Sequence, residues 1–389
     1  MGAGVVIAGA GQAGFQCAFS LRTEGYDGAI TLIGEEDWLP YQRPPLSKGC
    51  LSGKTDLDAI ALRPAAYFQA NRIALRMGRR VESIDRFGLR VILDDGGEVG
   101  YDYLVLATGC RNRVLAGMDG VSYLRTREEA AALMDRLETA ETVAVIGGGF
   151  IGLEVAAAAT GHGRRVTVVE PQARLMQRAV GPIISEYFRA MHARHGVRIL
   201  LGTTAAGLEG DMVVAGIGVA PRTELAKAAG LAVGNGIVVN AQLRTEDERI
   251  FAIGDCAAFP SRFARGMARL ESVQNAVDQG RCVAAAICGR GADYAAVPWF
   301  WTDQFEAKLQ MTGLSNGFDE QVVRGDLESG KFSVCYFREG RLIAMDSLNR
   351  PGDHLAGRKL LAAGTKLTAD QAADLGFDLK DAEKKSEAE

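Results

Sequence analysis

Six glycines occur in two copies of one spacing. Gly9-Ala10-Gly11-Gln12-Ala13-Gly14 follows the apolar run Val5-Val6-Ile7-Ala8, and Gly147-Gly148-Gly149-Phe150-Ile151-Gly152 follows Val143-Ala144-Val145-Ile146. About 20 residues past each last glycine stands an acid at the end of a second apolar run: Glu35 after Ile30-Thr31-Leu32-Ile33-Gly34, and Glu170 after Val166-Thr167-Val168-Val169. Those residue types at that spacing suit a pyrophosphate and a ribose. Glycine lets backbone N–H groups and a helix N-terminus approach the pyrophosphate, and the acid accepts from ribose hydroxyls. One such turn alone is weak evidence, but two in matching context specify two dinucleotide sites. At the second, Glu170 would accept from a free 2′-hydroxyl and repel a 2′-phosphate, so NADH is favoured over NADPH. Arg164, Arg165 and Arg174 are the residues that could reverse that preference. A third feature, Gly254-Asp255, closes the apolar run Ile250 to Ile253. Its carboxylate could accept from a ribityl hydroxyl, which FAD has and NAD lacks, or it could cap the segment that follows.

These residues need strand, turn and helix around them. Helices are expected from the glycine turns to about Glu24 and to about Thr160, each leading into the next strand, so the chain contains two β-α-β units and hence two doubly wound domains. Tyr103 to Gly109 reads as a short strand closed by glycine, and Val273 to Ile287 as an Ala-rich helix. After Glu35 comes Leu39-Pro40-Tyr41-Gln42-Arg43-Pro44-Pro45-Leu46-Ser47-Lys48, whose prolines predict a shaped loop. From Trp299-Phe300-Trp301 onward, alternating stretches such as Phe332 to Phe337 and Arg341 to Met345 predict antiparallel strands of an α+β domain. The expected division is 1–110 with 241–292 as one discontinuous domain, 111–240 as an inserted domain, and 293–389 as a C-terminal domain ending, from Lys380, in a charged solvated tail.

The chain has 389 residues, enough for two to three domains at about 150 residues each. Its 48% hydrophobic and 24% charged residues exclude a disordered or fibrous body, while 48 glycines, roughly 12% against a usual ~7%, point to many close backbone approaches. A net charge of −4 and a pI near 5.8, without a basic block, give no support for a nucleic-acid partner. No stretch is long and apolar enough to predict a membrane span, and the start lacks the positive region of a secretion signal. With seven scattered cysteines and no C-x-x-C, reduced thiols and a cytoplasmic location are expected, without disulfides or zinc. His162, His192, His195 and His354 show no metal spacing.

The order of these motifs resembles the FAD-dependent NADH:ferredoxin reductases that serve bacterial cytochrome P450 and ring-dioxygenase systems. The resemblance rests on Gly9-x-Gly11-x-x-Gly14, Arg43-Pro44-Pro45-Leu46-Ser47-Lys48, Ala107-Thr108-Gly109, Gly147-x-Gly149-x-x-Gly152-Leu153-Glu154, Gly254-Asp255, Glu271 to Ala276, Pro298-Trp299-Phe300-Trp301 and Gln371 to Leu375, and covers nearly the whole chain. It implies a glutathione-reductase-like fold with an FAD domain, an inserted NADH domain and a C-terminal domain that helps receive an iron–sulfur partner. It also implies a hydride passed from NADH to flavin N5 and two single electrons passed on to a [2Fe–2S] ferredoxin. On that pattern Gly254-Asp255 belongs to the flavin site. The flavin set becomes Gly9, Gly11, Gly14, Glu35, Arg43, Lys48, Val81, Ala107, Thr108, Gly109, Arg125, Gly254, Asp255, Val273 and Trp301; the NADH set becomes Gly147, Gly149, Phe150, Ile151, Gly152, Glu154, Glu170 and Gly218.

Within that set the resemblance makes Lys48 and Glu154 the catalytic pair, opposite charges that would position the nicotinamide and tune the flavin without entering the bond changes. The helix opening at Val273 would aim its N-terminus at the flavin, stabilising negative charge there. Arg125 resembles a family arginine near the flavin, and Pro298 and Trp301 those that cover its outer edge. Arg63, Arg281 and Lys308 match basic positions that would dock an acidic ferredoxin, to a monomer or weak dimer. Disulfide reductases of this architecture carry a cysteine pair just before the lysine equivalent to Lys48, and peroxidase-type relatives keep one cysteine there. Here Arg43 to Ser47 contain none, and Cys50 lies past Lys48. Two other readings are an NADH oxidase or peroxidase, and a flavin-binding interaction protein like apoptosis-inducing factor. The chain also departs from the family: the hairpin expected between Asp211 and Met212 is missing, and the link from Arg113 to Tyr123 is short.

Overall fold

A computed structural model of the protein describes residues 3–205 and 208–386, and these divide into two compact units. The first comprises residues 1–42, 60–111 and 219–296; the second comprises 43–59, 112–218 and 297–389.

The first unit is built on a five-stranded parallel sheet in the order Ile250–Ala252, Tyr103–Leu106, Val5–Ala8, Ile30–Gly34, Ile73–Met77. Val5–Ala8 is central and buried throughout, which suits a run without a polar residue. From its end the chain turns at Gly9–Gly11 into helix Gln12–Thr23. Helix Val273–Ile287 begins where expected, with Ser272 as N-cap accepting from the Asn275 N–H at 3.1 Å. It packs on Gln12–Thr23 at Gly280, where a Cβ would lie 2.9 Å from the Cys17 nitrogen, so only glycine permits that approach. Val81–Asp85 opens a separate three-stranded antiparallel sheet.

The second unit holds another five-stranded parallel sheet, ordered Arg198–Leu201, Arg165–Glu170, Thr142–Ile146, Met212–Ala215, Val121–Ser122. Central strand Thr142–Ile146 again runs through a glycine turn into a helix, Phe150–Gly161. From Leu201 the chain reaches Met212 with no strand between them among the described residues. This short connection is tied down by Asp211, whose carboxylate accepts from the Glu141 and Thr142 N–H groups at 3.0 and 2.9 Å and from the Thr142 hydroxyl at 2.9 Å.

The same unit contains the C-terminal α+β part. Its antiparallel sheet is ordered Trp299–Gln304, Ala307–Gly313, Arg341–Leu348, Lys331–Arg338, Glu320–Asp326, and helix Pro351–Ala363 packs on it. Two expectations need correction. The segment from Lys380, read as a solvated tail, begins with helix Leu379–Ser386, because Leu379 and Ala382 bury in the cluster of Phe337, Met345 and Leu360. The proline-rich stretch is also not loop throughout. Leu46–Cys50 winds one π-helical turn after Pro44 and Pro45, which precede it and so cost it no hydrogen bond.

Candidate functional site

In the first unit, the Gly9 turn, Ala107-Thr108 and Gly254 converge on the start of helix Gln12–Thr23. Gly9 sits at φ +120°, and a Cβ there would meet the Ala107 oxygen at 2.1 Å; a Cβ on Gly14 would meet the Gly9 oxygen at 1.9 Å. The turn is therefore closed to any side chain on its inner side, whereas Gly11 faces open space. Gly11 is the N-cap yet supplies no side-chain acceptor, and the first turn holds no acid, so the leading N–H groups are left for an anion. Gly254 (φ +75°) abuts the Ala13 methyl, and its N–H donates to Gln279 Oε1 at 2.7 Å. The Asp255 carbonyl accepts from Arg269 at 3.0 Å, and the Thr108 hydroxyl donates to the Arg222 carbonyl at 2.7 Å. Just past strand Ile30–Gly34, the half-exposed Glu35 pairs with Arg222. Gly109 (φ +65°) accepts from the Arg222 N–H, Val81 is buried, and Val273 opens its helix. This cradle fits a dinucleotide: a backbone pocket a Cβ would fill, uncapped N–H groups, and a carboxylate at the next strand's end.

In the second unit, Gly147 has φ +105°, and a Cβ on Gly152 would come within 2.0 Å of the Gly147 oxygen. Gly149 caps helix Phe150–Gly161 with no side-chain acceptor, and Ile151 is exposed beside it. Glu170 accepts from the Gly148 N–H at 2.7 Å and from the Gln172 N–H at 2.8 Å, so its carboxylate lies against the turn. The three arginines that could favour a 2′-phosphate are engaged elsewhere. Arg164 donates to the Glu138 carbonyl at 3.1 Å, and Arg165 pairs with Glu141 at 3.5 Å. Arg174 donates to the Val180 and Gln177 carbonyls and to Ser185, at 2.6, 2.9 and 2.8 Å. Gly218 (φ +91°) accepts from the Arg113 N–H at 3.0 Å.

The same unit brings Lys48 and Glu154 together. Lys48 rides on the π-helical turn, Glu154 lies inside Phe150–Gly161, and Nζ stands 2.7 Å from Oε1. Glu154 is 3% exposed and carries two further donors, the Ser47 hydroxyl on Oε2 and the Thr302 hydroxyl on Oε1 at 2.6 Å. Three donors hold this buried carboxyl group in one orientation. Nearby in the sequence, Arg43 donates to the Arg125 carbonyl at 2.6 Å, just ahead of helix Arg127–Thr139 and its capping box of Thr126 with Glu129. Phe150 packs on Phe300 with ring centroids 4.9 Å apart, and Trp301 lies 5.5 Å from Trp299.

Sequence reading did not single out Arg222, Gln279, Ser47 or Thr302. Of these, Thr302 had a local signal, since it and Gln304 are polar residues two apart on one strand and so share a face. Cys50, the one thiol near Lys48 in sequence, is buried, and burial pushes it above the ordinary thiol range. None of the seven cysteines, all among the described residues, forms a disulfide. Arg63 rests over the Phe19 and Tyr67 rings and Arg281 pairs with Asp278 at 3.4 Å, while Lys308 lies exposed on strand Ala307–Gly313. His192 and His354 are buried and held near 4 by burial, and among the described residues no cluster of His, Cys, Asp and Glu could hold a metal. No helix among them is long and apolar enough to cross a membrane.

Comparison with known proteins places this geometry. Residues 3–280 match the family described as pyridine nucleotide-disulphide oxidoreductase, and residues 299–383 match the reductase C-terminal family. Rhodocoxin reductase from Rhodococcus erythropolis is 51% identical, over 97% of this chain and 93% of its own. The crystal structure of the ferredoxin reductase for the CYP199A2 system from Rhodopseudomonas palustris is 47% identical and superposes with a TM-score of 0.94, covering 97% of this chain and 99% of that one. The reductase in the covalent putidaredoxin reductase–putidaredoxin complex is 39% identical, with a TM-score of 0.96 and 99% of each chain covered. The chain thus belongs to the pyridine nucleotide-disulphide oxidoreductases and, within them, to the ferredoxin reductases: it is a pyridine-nucleotide-dependent flavoprotein oxidoreductase.

Proposed function

We propose that this enzyme binds FAD in the first unit and NADH at the second glycine turn, and reduces a [2Fe–2S] ferredoxin of a P450 or dioxygenase system. Bound FAD supplies acceptance of a hydride from NADH at N5 and release of the two electrons one at a time. The Gly9–Gly14 turn and the start of helix Gln12–Thr23 hold the FAD pyrophosphate, Glu35 its adenosine ribose, and Asp255 its ribityl chain. The Gly147–Gly152 turn and Glu170 do the same for NADH. Arg164, Arg165 and Arg174 all have partners elsewhere, so they offer no preformed compensation for a 2′-phosphate brought against Glu170. Lys48 and Glu154 orient the nicotinamide as a fixed ion pair and exchange no proton with it. Val81 and Val273 complete the flavin surround in the first unit, while Arg63 and Arg281 in that unit and Lys308 in the second present positive charge to an acidic partner.

The observation that carries this reading is the pairing of a buried, triply hydrogen-bonded Glu154 with Lys48 where disulfide reductases keep their cysteines. Residues 43–47, directly before Lys48, hold no thiol, so no cysteine pair stands there to relay electrons from a bound flavin. The test is NADH-driven cytochrome c reduction with and without an added [2Fe–2S] ferredoxin. Dependence on ferredoxin is expected; turnover with oxygen or peroxide as fast as with ferredoxin overturns the reading in favour of an oxidase or peroxidase.

A further inference from the structure

Glu154 receives more than its lysine, and the extra contact continues inward. Strand Trp299–Gln304 alternates: Asp303 is exposed, while Thr302 and Gln304 are buried at 0% and 1% exposure on the opposite face. The Thr302 hydroxyl lies 2.6 Å from Glu154 Oε1, Gln304 Nε2 lies 3.1 Å from Thr302 Oγ1, and Gln304 Oε1 lies 2.8 Å from Nε2 of the fully buried His192. His192 comes from helix Pro182–Arg194, so the chain joins the C-terminal sheet to the nucleotide-binding part of the same unit.

Hydrogen-bond chemistry fixes the direction of this row. A carboxylate only accepts, so Thr302 must spend its one proton on Glu154 and accept from the Gln304 amide. With Nε2 of Gln304 facing Thr302, the amide oxygen faces His192 and can only accept, which places the imidazole proton on Nε2. His192 Nδ1 is buried without a partner, as suits a nitrogen that carries only a lone pair. Burial holds this ring near 4, so it stays neutral and has one proton to give. Every donor therefore points toward Glu154.

We propose that Thr302, Gln304 and His192 are positioning residues for the nicotinamide step, a one-way hydrogen-bond chain that prevents the Glu154 carboxylate from turning away from Lys48. This rests on the reading of Lys48 and Glu154 as the pair that orients the nicotinamide. None of the three needs to touch the reacting atoms. Their effect is on geometry at saturation, and NADH affinity, set by the glycine turn and Glu170, is left unchanged.

The experiment uses the flavin-loaded enzyme in three variants, Thr302→Val, Thr302→Ser and Gln304→Leu, with the Thr302→Val/Gln304→Leu double and Glu154→Gln as reference. Stopped-flow flavin reduction should show the limiting rate of Thr302→Val down about tenfold, the loss of one hydrogen bond to a charge, with NADH affinity unchanged and rate restored in Thr302→Ser. Gln304→Leu should cost less, and nothing further in the Thr302→Val background, because it acts through that hydroxyl. In the nitrogen-15 spectrum of histidine-labelled protein, the His192 proton should sit on Nε2 at neutral pH. Additive losses, an unchanged Thr302→Val, or a ring protonated on Nδ1 overturns the chain. If Glu154→Gln slows reduction while Thr302→Val does not, the chain alone fails; if Glu154→Gln is itself without effect, the reading of the ion pair fails with it.

Discussion

A single methyl group is enough to close either glycine cradle. A Cβ on Gly14 would stand 1.9 Å from the Gly9 oxygen, and one on Gly152 would stand 2.0 Å from the Gly147 oxygen, both against backbone that cannot step aside. The two substitutions should separate by cofactor. Gly14→Ala is expected to purify with far less than one flavin per chain, read from the visible flavin absorbance against protein. Gly152→Ala should keep its flavin and lose reduction by NADH; equal flavin loss in both would contradict the assignment of the two turns. Glu170 does two jobs, bracing the Gly148 N–H and presenting negative charge where a 2′-phosphate would lie. Glu170→Ala should therefore lower kcat/KM for NADH by about tenfold and narrow the gap to NADPH, and unchanged KM values for both nucleotides would refute the role.

At the scale of elements, local pattern was readable where the cause of structure is local. The two strand–turn–helix units were legible because apolar runs, glycine spacing and a following acid all lie within one β-α-β unit, and Val273–Ile287 because its Ala-rich run is itself local. Leu379–Ser386 was not, because its charge-rich sequence conceals that Leu379 and Ala382 meet a distant core. Lys48 and Glu154 were singled out through the family resemblance, whereas Thr302 and Gln279 contribute through contacts made only on folding. Two elements carry their own tests. Asp346 is fully buried, accepts from the Tyr336 hydroxyl at 2.7 Å, and is pushed up to about 7 by burial; Tyr336 in turn accepts from the N–H of Gly181, the N-cap of helix Pro182–Arg194. A folded-state value above the unfolded one means that folding takes up a proton between about 4 and 7, so this group's contribution to stability falls as pH rises through that window. Asp346→Asn keeps an acceptor for Tyr336 and removes the charge. It should melt higher at alkaline pH, by about 2 kcal/mol, with the difference shrinking toward pH 5. Asp211, held below the usual carboxylate range chiefly by the Thr142 N–H and hydroxyl, ties the short connection to the central strand. Asp211→Ala should lower the thermal midpoint and leave flavin content intact; an unaltered melt would show that the connection needs no tie.

For the whole molecule, the glycines with the closest backbone approaches include two cradles carried by two different compact units, each with a glycine N-cap and each followed by an acid at the next strand's end. A ligand that binds only the folded chain stabilises it by mass action, so stripping FAD should lower the melting temperature, and adding it back in large excess should restore about 4 kcal/mol. Among the described residues no strand lies between Leu201 and Met212, and the parallel sheet keeps five members with its glycine turn intact, so nucleotide binding is expected to survive the short connection. The central claim is that NADH, read by Glu170, reduces a flavin held by the Gly9 turn. Anaerobic addition of one equivalent of NADH to the flavin-loaded enzyme tests it most directly. Bleaching of the flavin absorbance by NADH and not by NADPH is the predicted result; a flavin that stays oxidised, or bleaches only with NADPH, contradicts it.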